Sequence, residues 1–256
     1  MRYAAVGDSY TEGVGDELPD GTVRGWADLV AAGLAAEHGE AVRYANFAVR
    51  GRLLEPIVCE QLEAALALAP APTLVTLNGG GNDMMRSGTD TTRLAGLLDR
   101  ALRRAAQAGV RLVIVAGADP SQRLPLGGVI RRRGELLTTA THALAARHGA
   151  LFVDVFHDDE LRRGPYWSVD RLHLNAAGHQ RVAGLVLTAL GHERAAHVAD
   201  PGPAESRRVR AEARYYREHV LPWLHRRLRG RSSGDDRSGK YVQWVPVPTG
   251  TTPPPR

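Results

Sequence analysis

The sequence predicts an α/β protein, a three-layer α/β/α sandwich built around a central parallel sheet. Three observations predict it. Short apolar runs alternate with longer helical patterns over about the first 190 residues. Strands separated by helices imply right-handed crossovers, so neighbouring strands are parallel and both faces of the sheet are covered. With 256 residues and 43% hydrophobic content, one compact domain buries enough apolar surface to need no disulfide or metal staple. Cys59, the only cysteine, falls within a helical apolar pattern and reads as a small core residue.

In chain order, Arg2 to Val6 is a short apolar run and reads as the first strand, and Gly21 to Glu37 has helical periodicity. Val42 to Ala48 is the second strand and Leu53 to Leu68 the second helix. Thr73 to Leu77 is the third strand, followed by a helix at Thr91 to Ala108. Arg111 to Ala116 is the fourth strand, Val129 to His148 the next helix, Leu151 to Val155 the fifth strand and Ala176 to Leu190 the closing helix. Pro120 to Gly128 and Gly164 to Leu172 read as loops. Asp200-Pro201-Gly202-Pro203 marks a boundary, because two prolines and a glycine cannot continue a helix. Beyond it, Ala204 to Leu228 predicts an arginine-rich helix with Val209, Ala213, Tyr216, Val220, Leu224 and Leu228 on one face and an interruption at Pro222. From Gly230 onward the chain is Ser-, Gly-, Asp- and then Pro-rich and reads as flexible or loosely draped. The expected division is a body over 1–195, a basic helical extension over 200–230 and a tail over 231–256.

The 33 Lys and Arg against 28 Asp and Glu give a formal net charge of +5 and a pI near 9.8. Resolved by position, residues 1–199 hold 21 basic and 22 acidic side chains, whereas residues 200–256 hold 12 and 6. The basic pI therefore belongs to the extension, and it says little about the chemistry of the body. Docking of the extension's apolar face on the body is the expected arrangement, with a lid or partner surface near the mouth of the site as the alternative; nucleic-acid or membrane binding by it is not expected. Arginine supplies every basic residue except Lys240, which together with abundant Ala and Gly suggests a GC-rich bacterial genome. No leader pattern and no apolar run near 18 residues is present, so the expectation is a soluble, cytoplasmic protein. The sequence does not specify an oligomeric state.

In such sheets ligands are handled at the carboxyl ends of the strands, and the residues there are unusual. After the first strand stands Val6-Gly7-Asp8-Ser9-Tyr10-Thr11-Glu12-Gly13; after the second, Asn46-Phe47-Ala48-Val49-Arg50-Gly51; after the third, Gly79-Gly80-Gly81-Asn82-Asp83. Before the last helix comes Ser168-Val169-Asp170-Arg171-Leu172-His173-Leu174-Asn175. Together they offer a hydroxyl nucleophile, an imidazole with a carboxylate three residues away, and several donors for a developing oxyanion. Each has a bland alternative: Ser9 as a helix cap, His173 as a loop histidine, Gly51 and Asn82 as turn residues.

These four segments, in this order, resemble the signature blocks of the SGNH hydrolase superfamily, the GDSL-type esterases and lipases. The resemblance covers residues 1 to about 190 and implies a flavodoxin-like SGNH hydrolase fold. It implies Ser9 as nucleophile, His173 as base, Asp170 as its carboxylate partner, and Ser9, Gly51 and Asn82 as the oxyanion hole. Tyr10 stands where the family's eponymous residue is Leu. The chemistry is consistent with these roles. A serine hydroxyl needs a base to take its proton during attack, and a carboxylate three residues upstream can fix the imidazole tautomer. A hole glycine permits close backbone approach.

The resemblance implies a serine esterase acting on small or medium acyl groups, O-acetyl included, on a small-molecule ester. An acyltransferase or thioesterase with the same three residues stays open. A non-catalytic binding module is disfavoured because every chemical position is intact. Tyr10, Arg52, Met84, Met85, Tyr166 and Trp167 flank the segments and are the expected pocket residues. No cofactor or metal is expected: Gly13 to Leu18 lacks the third glycine of a dinucleotide fingerprint, no Gly-Lys-Ser/Thr of a P-loop exists, and His157 to Glu160 reads as a solvated acidic turn. Asp8 and Asp83 read as structural, and His179 as a packing or capping residue.

Overall fold

A computed structural model describes residues 1–196, 201 and 234–250. The helix expected over Ala204 to Leu228 lies outside the described residues. The elements are β1 (Arg2–Val6), α1 (Ser9–Glu12), α2 (Trp26–His38), β2 (Val42–Asn46), and three unbroken helical turns, Leu54–Pro56, Ile57–Gln61 and Leu62–Leu66, here called α3. The middle turn of α3 is π-wound. Then follow β3 (Leu74–Leu77), α4 (Gly81–Met84), α5 (Thr91–Gln107), β4 (Arg111–Val115), α6 (Gly127–Arg147), β5 (Leu151–Val153), α7 (Ala176–Ala189) and β6 (Tyr241–Val247).

The strands form one six-stranded sheet in the order β5-β4-β3-β1-β2-β6. All neighbours are parallel except β6, which runs antiparallel along β2. Because β2 and β3 lie on opposite sides of β1, the winding reverses between β1 and β3, and a crevice opens at their carboxyl ends. Side chains alternate across the pleat. Tyr3 and Ala5 pack with Trp26, Val30 and Leu34 of α2 and Val182 and Val186 of α7. Ala4 and Val6 pack with Leu54, Ile57 and Leu62 of α3, Leu98 of α5 and Leu137 of α6. The three-layer architecture is the one the sequence predicts.

Element boundaries differ for identifiable reasons. Helix α2 begins at Trp26, not Gly21, because Asp28 reaches back to the Gly25 N–H and fixes the start there. Two helical turns not expected from sequence are short pieces: α1 starts three residues on from the end of β1, and α4 starts on the last glycine of the Gly79 to Gly81 run.

The main correction concerns the tail. Instead of being loosely draped throughout, residues 241–247 form an edge strand, with Val245 and Val247 against one core and Trp244 against the other. Pro246 is compatible with that place because its missing N–H costs nothing on an edge. The lone lysine anchors the strand: Lys240 Nζ donates to Glu12 O at 2.7 Å, Val23 O at 3.1 Å and Asp28 Oδ2 at 2.5 Å. Among the described residues no helix is long and apolar enough to cross a membrane.

Candidate active site

The first strand ends in a turn that only glycine fits, since a Cβ on Gly7 would lie 2.4 Å from Thr11 Oγ1 and 3.0 Å from Asn78 O. Its N–H donates to Gln61 Oε1 at 2.8 Å, tying the turn to α3. Asp8 then caps α1, accepting from the Tyr10 N–H at 3.0 Å, and this places Ser9 as the first residue of that helix.

On the opposite side, the loop before α7 turns sharply at Arg171, whose φ is 59°. Asp170 holds the turn: its Oδ1 accepts from Ser168 Oγ at 2.6 Å and from the Leu172 and His173 N–H groups at 3.0 Å each. Its Oδ2 lies 2.5 Å from His173 Nδ1, and His173 Nε2 lies 2.9 Å from Ser9 Oγ. With Nδ1–H donating to the carboxylate, Nε2 is left to accept from the serine hydroxyl. Burial works to raise the Asp170 pKa, but the His173 bond, its charge and the Ser168 and backbone donors outweigh it and hold the carboxyl well below the usual range. Asp170 is therefore ionised at neutral pH, as an imidazolium partner must be. Gly15 makes room for this loop, because a Cβ there would lie 2.0 Å from Leu174 O and 3.3 Å from His173 Cβ.

The second and third segments follow β2 and β3. Gly51 adopts φ 77°, in the region that favours glycine. Its loop is fixed by Glu12, which accepts from the Arg50 N–H at 2.6 Å and from the Arg50 guanidinium at 2.6 and 2.9 Å. Asn82 lies on α4, its amide nitrogen 3.1 Å from Asp8 Oδ2 and 3.0 Å from Arg52 O. Asp83 accepts from the Leu54 N–H at 2.9 Å and caps α3. Burial pushes the Asp8 carboxyl up to about 6, against the pull of the Tyr10 N–H and of His173.

A cavity of about 110 Å³ opens at Ser9, Asn82 and His173. Of the six expected pocket residues, Tyr10, Met84 and Met85 line it. Arg52 does not, although its carbonyl holds Asn82. Tyr166 and Trp167 do not either: both are buried, and the indole N–H donates to Leu161 O at 2.6 Å. An aromatic with an internal partner for its polar edge is a core residue, which corrects the expectation for these two. Gly51 also lies outside the cavity lining. His179 is fully buried, with Nδ1 accepting from the Trp26 N–H at 3.3 Å and Nε2 donating to Val14 O at 3.2 Å; burial lowers its pKa to about 4, which keeps it neutral. Glu12, Gln61 and Gly15 are supporting residues that sequence reasoning missed. Glu12 alone carried a signal, an acid inside the first segment. No group of His, Cys, Asp and Glu able to hold a metal occurs among the described residues.

The sequence pattern of the GDSL-like lipase/acylhydrolase family matches residues 5–181, well over half of the chain. The chain belongs to this family. It is a serine hydrolase acting on esters, as family membership entails. A comparison with curated proteins finds no match. Among solved structures, the chain resembles LAE5, described as an α/β-hydrolase enzyme from the metagenome of Lake Arreo, Spain, at 23% identity and TM-score 0.62, over 75% of this chain and 95% of that one. It resembles TesA at 24% identity and TM-score 0.60, over 74% and 98%. It also resembles a variant of Axe2, an acetylxylan esterase from Geobacillus stearothermophilus, at 18% identity and TM-score 0.61, over 80% and 97%. These likenesses establish the fold that the family shares.

Proposed function

We propose that the chain hydrolyses carboxylic esters through an acyl-Ser9 intermediate, with His173 as general base and acid and Asp170 as its partner. The observation that carries this reading is the unbroken chain of hydrogen bonds from Ser9 Oγ through the His173 ring to Asp170, set at the mouth of a cavity. As Ser9 Oγ attacks the ester carbonyl carbon, its proton passes to His173 Nε2, and Asp170 stabilises the imidazolium through Nδ1–H. The carbonyl oxygen becomes an oxyanion, for which the N–H groups of Ser9 and Gly51 and the amide of Asn82 are the donors in this reading. When the intermediate collapses, the C–O bond to the alcohol breaks and His173 returns the proton to the leaving oxygen. Water then attacks the acyl-enzyme, giving its proton to His173, and the carboxylic acid leaves as Ser9 regains its hydrogen. General-base help of this kind contributes about 10²- to 10⁴-fold, and each oxyanion donor about 2.7 to 4 kcal/mol.

The experiment is steady-state hydrolysis of p-nitrophenyl butyrate by the wild type, Ser9→Ala and Asp170→Asn. A loss of kcat on the order of 10⁴-fold or more in both variants is expected. Retention of activity within a few-fold in Ser9→Ala would overturn the reading.

A further inference from the structure

We propose that the cavity behind Ser9 is an acyl site that selects a short linear chain of about four carbons over both acetyl and long fatty chains. The inference rests on the acyl-Ser9 reading and adds the substrate class. One continuous space runs from Ser9, Asn82 and His173 inward between the sheet and α6. Its wall is formed by Leu77 and Ile114 of the strands, Leu98 of α5, Leu137 of α6, and Phe152 and Phe156. Of the polar side chains on this wall, Asn78 turns its Nδ2 to Val115 O at 2.8 Å and Thr141 its Oγ1 to Leu137 O at 2.6 Å, while Tyr10 and Thr138 add two hydroxyls. A lining this largely apolar suits hydrocarbon better than a sugar or a charged acid.

The size sets the length. An apolar cavity of about 150 Å³ holds the six carbons of benzene, so about 110 Å³, counted from Ser9 inward, takes roughly four carbons. The wall is stiff on one side: a Cβ on Gly134 would lie 2.4 Å from the Phe156 ring, so that ring is seated directly against the helix. Acetyl leaves about half of the space unfilled and forgoes about fourfold in kcat/KM for each missing methylene. A chain of about ten carbons cannot be enclosed and must fold back into water.

The test is kcat/KM of the full chain for p-nitrophenyl acetate, butyrate, hexanoate and decanoate, repeated with Leu137→Ala, which enlarges the cavity, and Thr141→Leu, which fills it. Thermal melts check that both variants fold. The wild type is expected to rise on the order of tenfold from acetate to butyrate and to fall at decanoate. Leu137→Ala moves the optimum to longer chains and Thr141→Leu moves it toward acetate. Labelling of Ser9 by a fluorophosphonate in the same samples separates the two possible failures. Labelled Ser9 with acetate as the best substrate, or with a profile that neither folded variant moves, overturns the acyl site and leaves the serine mechanism standing. Absence of labelling overturns both. If neither variant folds, the wild-type profile alone decides.

Discussion

Asp8 stands one residue before Ser9 and serves two neighbours at once, capping α1 through the Tyr10 N–H and holding the amide of Asn82. If Asn82 is an oxyanion donor, as proposed, the oxyanion must compete with Asp8 for its amide, which the carboxylate holds in place. Asn82→Ala is expected to lower kcat by about 10²-fold or more while KM changes little, read from the same butyrate assay. Burial also makes Asp8 a pH-dependent element of stability. Its folded pKa of about 6 exceeds the ordinary 3.8, so its contribution is fully present below 3.8 and is lost as pH rises through 6. Relative to wild type, Asp8→Asn should gain stability progressively between those values, by at most about 3 kcal/mol, and level off above them; urea melts at pH 4.5 and 7.5 measure the difference. That Ser9, His173 and Asp170 come together was expected from the resemblance of their segments to the signature blocks; spacing alone gave only the local turn that Asp170 and His173 share. Tyr166 and Trp167 were misread because only tertiary packing decides whether a loop aromatic faces a ligand or the core.

At the scale of elements, the unexpected feature is how the C-terminal strand supports the segments around Ser9. Lys240 bonds Glu12 O at the end of α1 and Asp28 at the start of α2, while Glu12 fixes the loop that carries Gly51. Gly239 is pressed so closely on that strand end that a Cβ would lie 2.6 Å from Asn46 O. Lys240→Met is expected to cost about 2 kcal/mol of stability, because charge-assisted bonds are lost at a largely covered site, and urea unfolding measures it. A loss below about 0.5 kcal/mol would contradict this account of the anchor. The strand pattern Tyr-Val-Gln-Trp-Val-Pro-Val was present in the sequence, but Pro246 and the Gly-, Ser- and Pro-rich surroundings outweighed it. Its partner β2 lies far away in the chain, and local pattern carries no information about such pairing. The five parallel strands were legible because each is a short apolar run between helices.

For the whole molecule, the reversal of winding at β1 and β3 brings the first, third and last segments to one crevice, which explains why residues as distant as Ser9, Asn82 and His173 share a site. The antiparallel sixth strand covers the outer edge of β2. A chain ending at Gly230 uncovers that edge, and exposed strand edges invite self-association. Light scattering is expected to show higher-mass species for the shortened protein than for the full chain at equal concentration, and an unchanged mass would contradict it. The account as a whole depends on Ser9 being the residue that takes the acyl group. Intact-mass spectrometry after treatment with a fluorophosphonate tests this most directly. The wild type should gain one phosphonyl adduct, mapped to Ser9, and Ser9→Ala none; an unmodified wild type, or an equal adduct on Ser9→Ala, would contradict it.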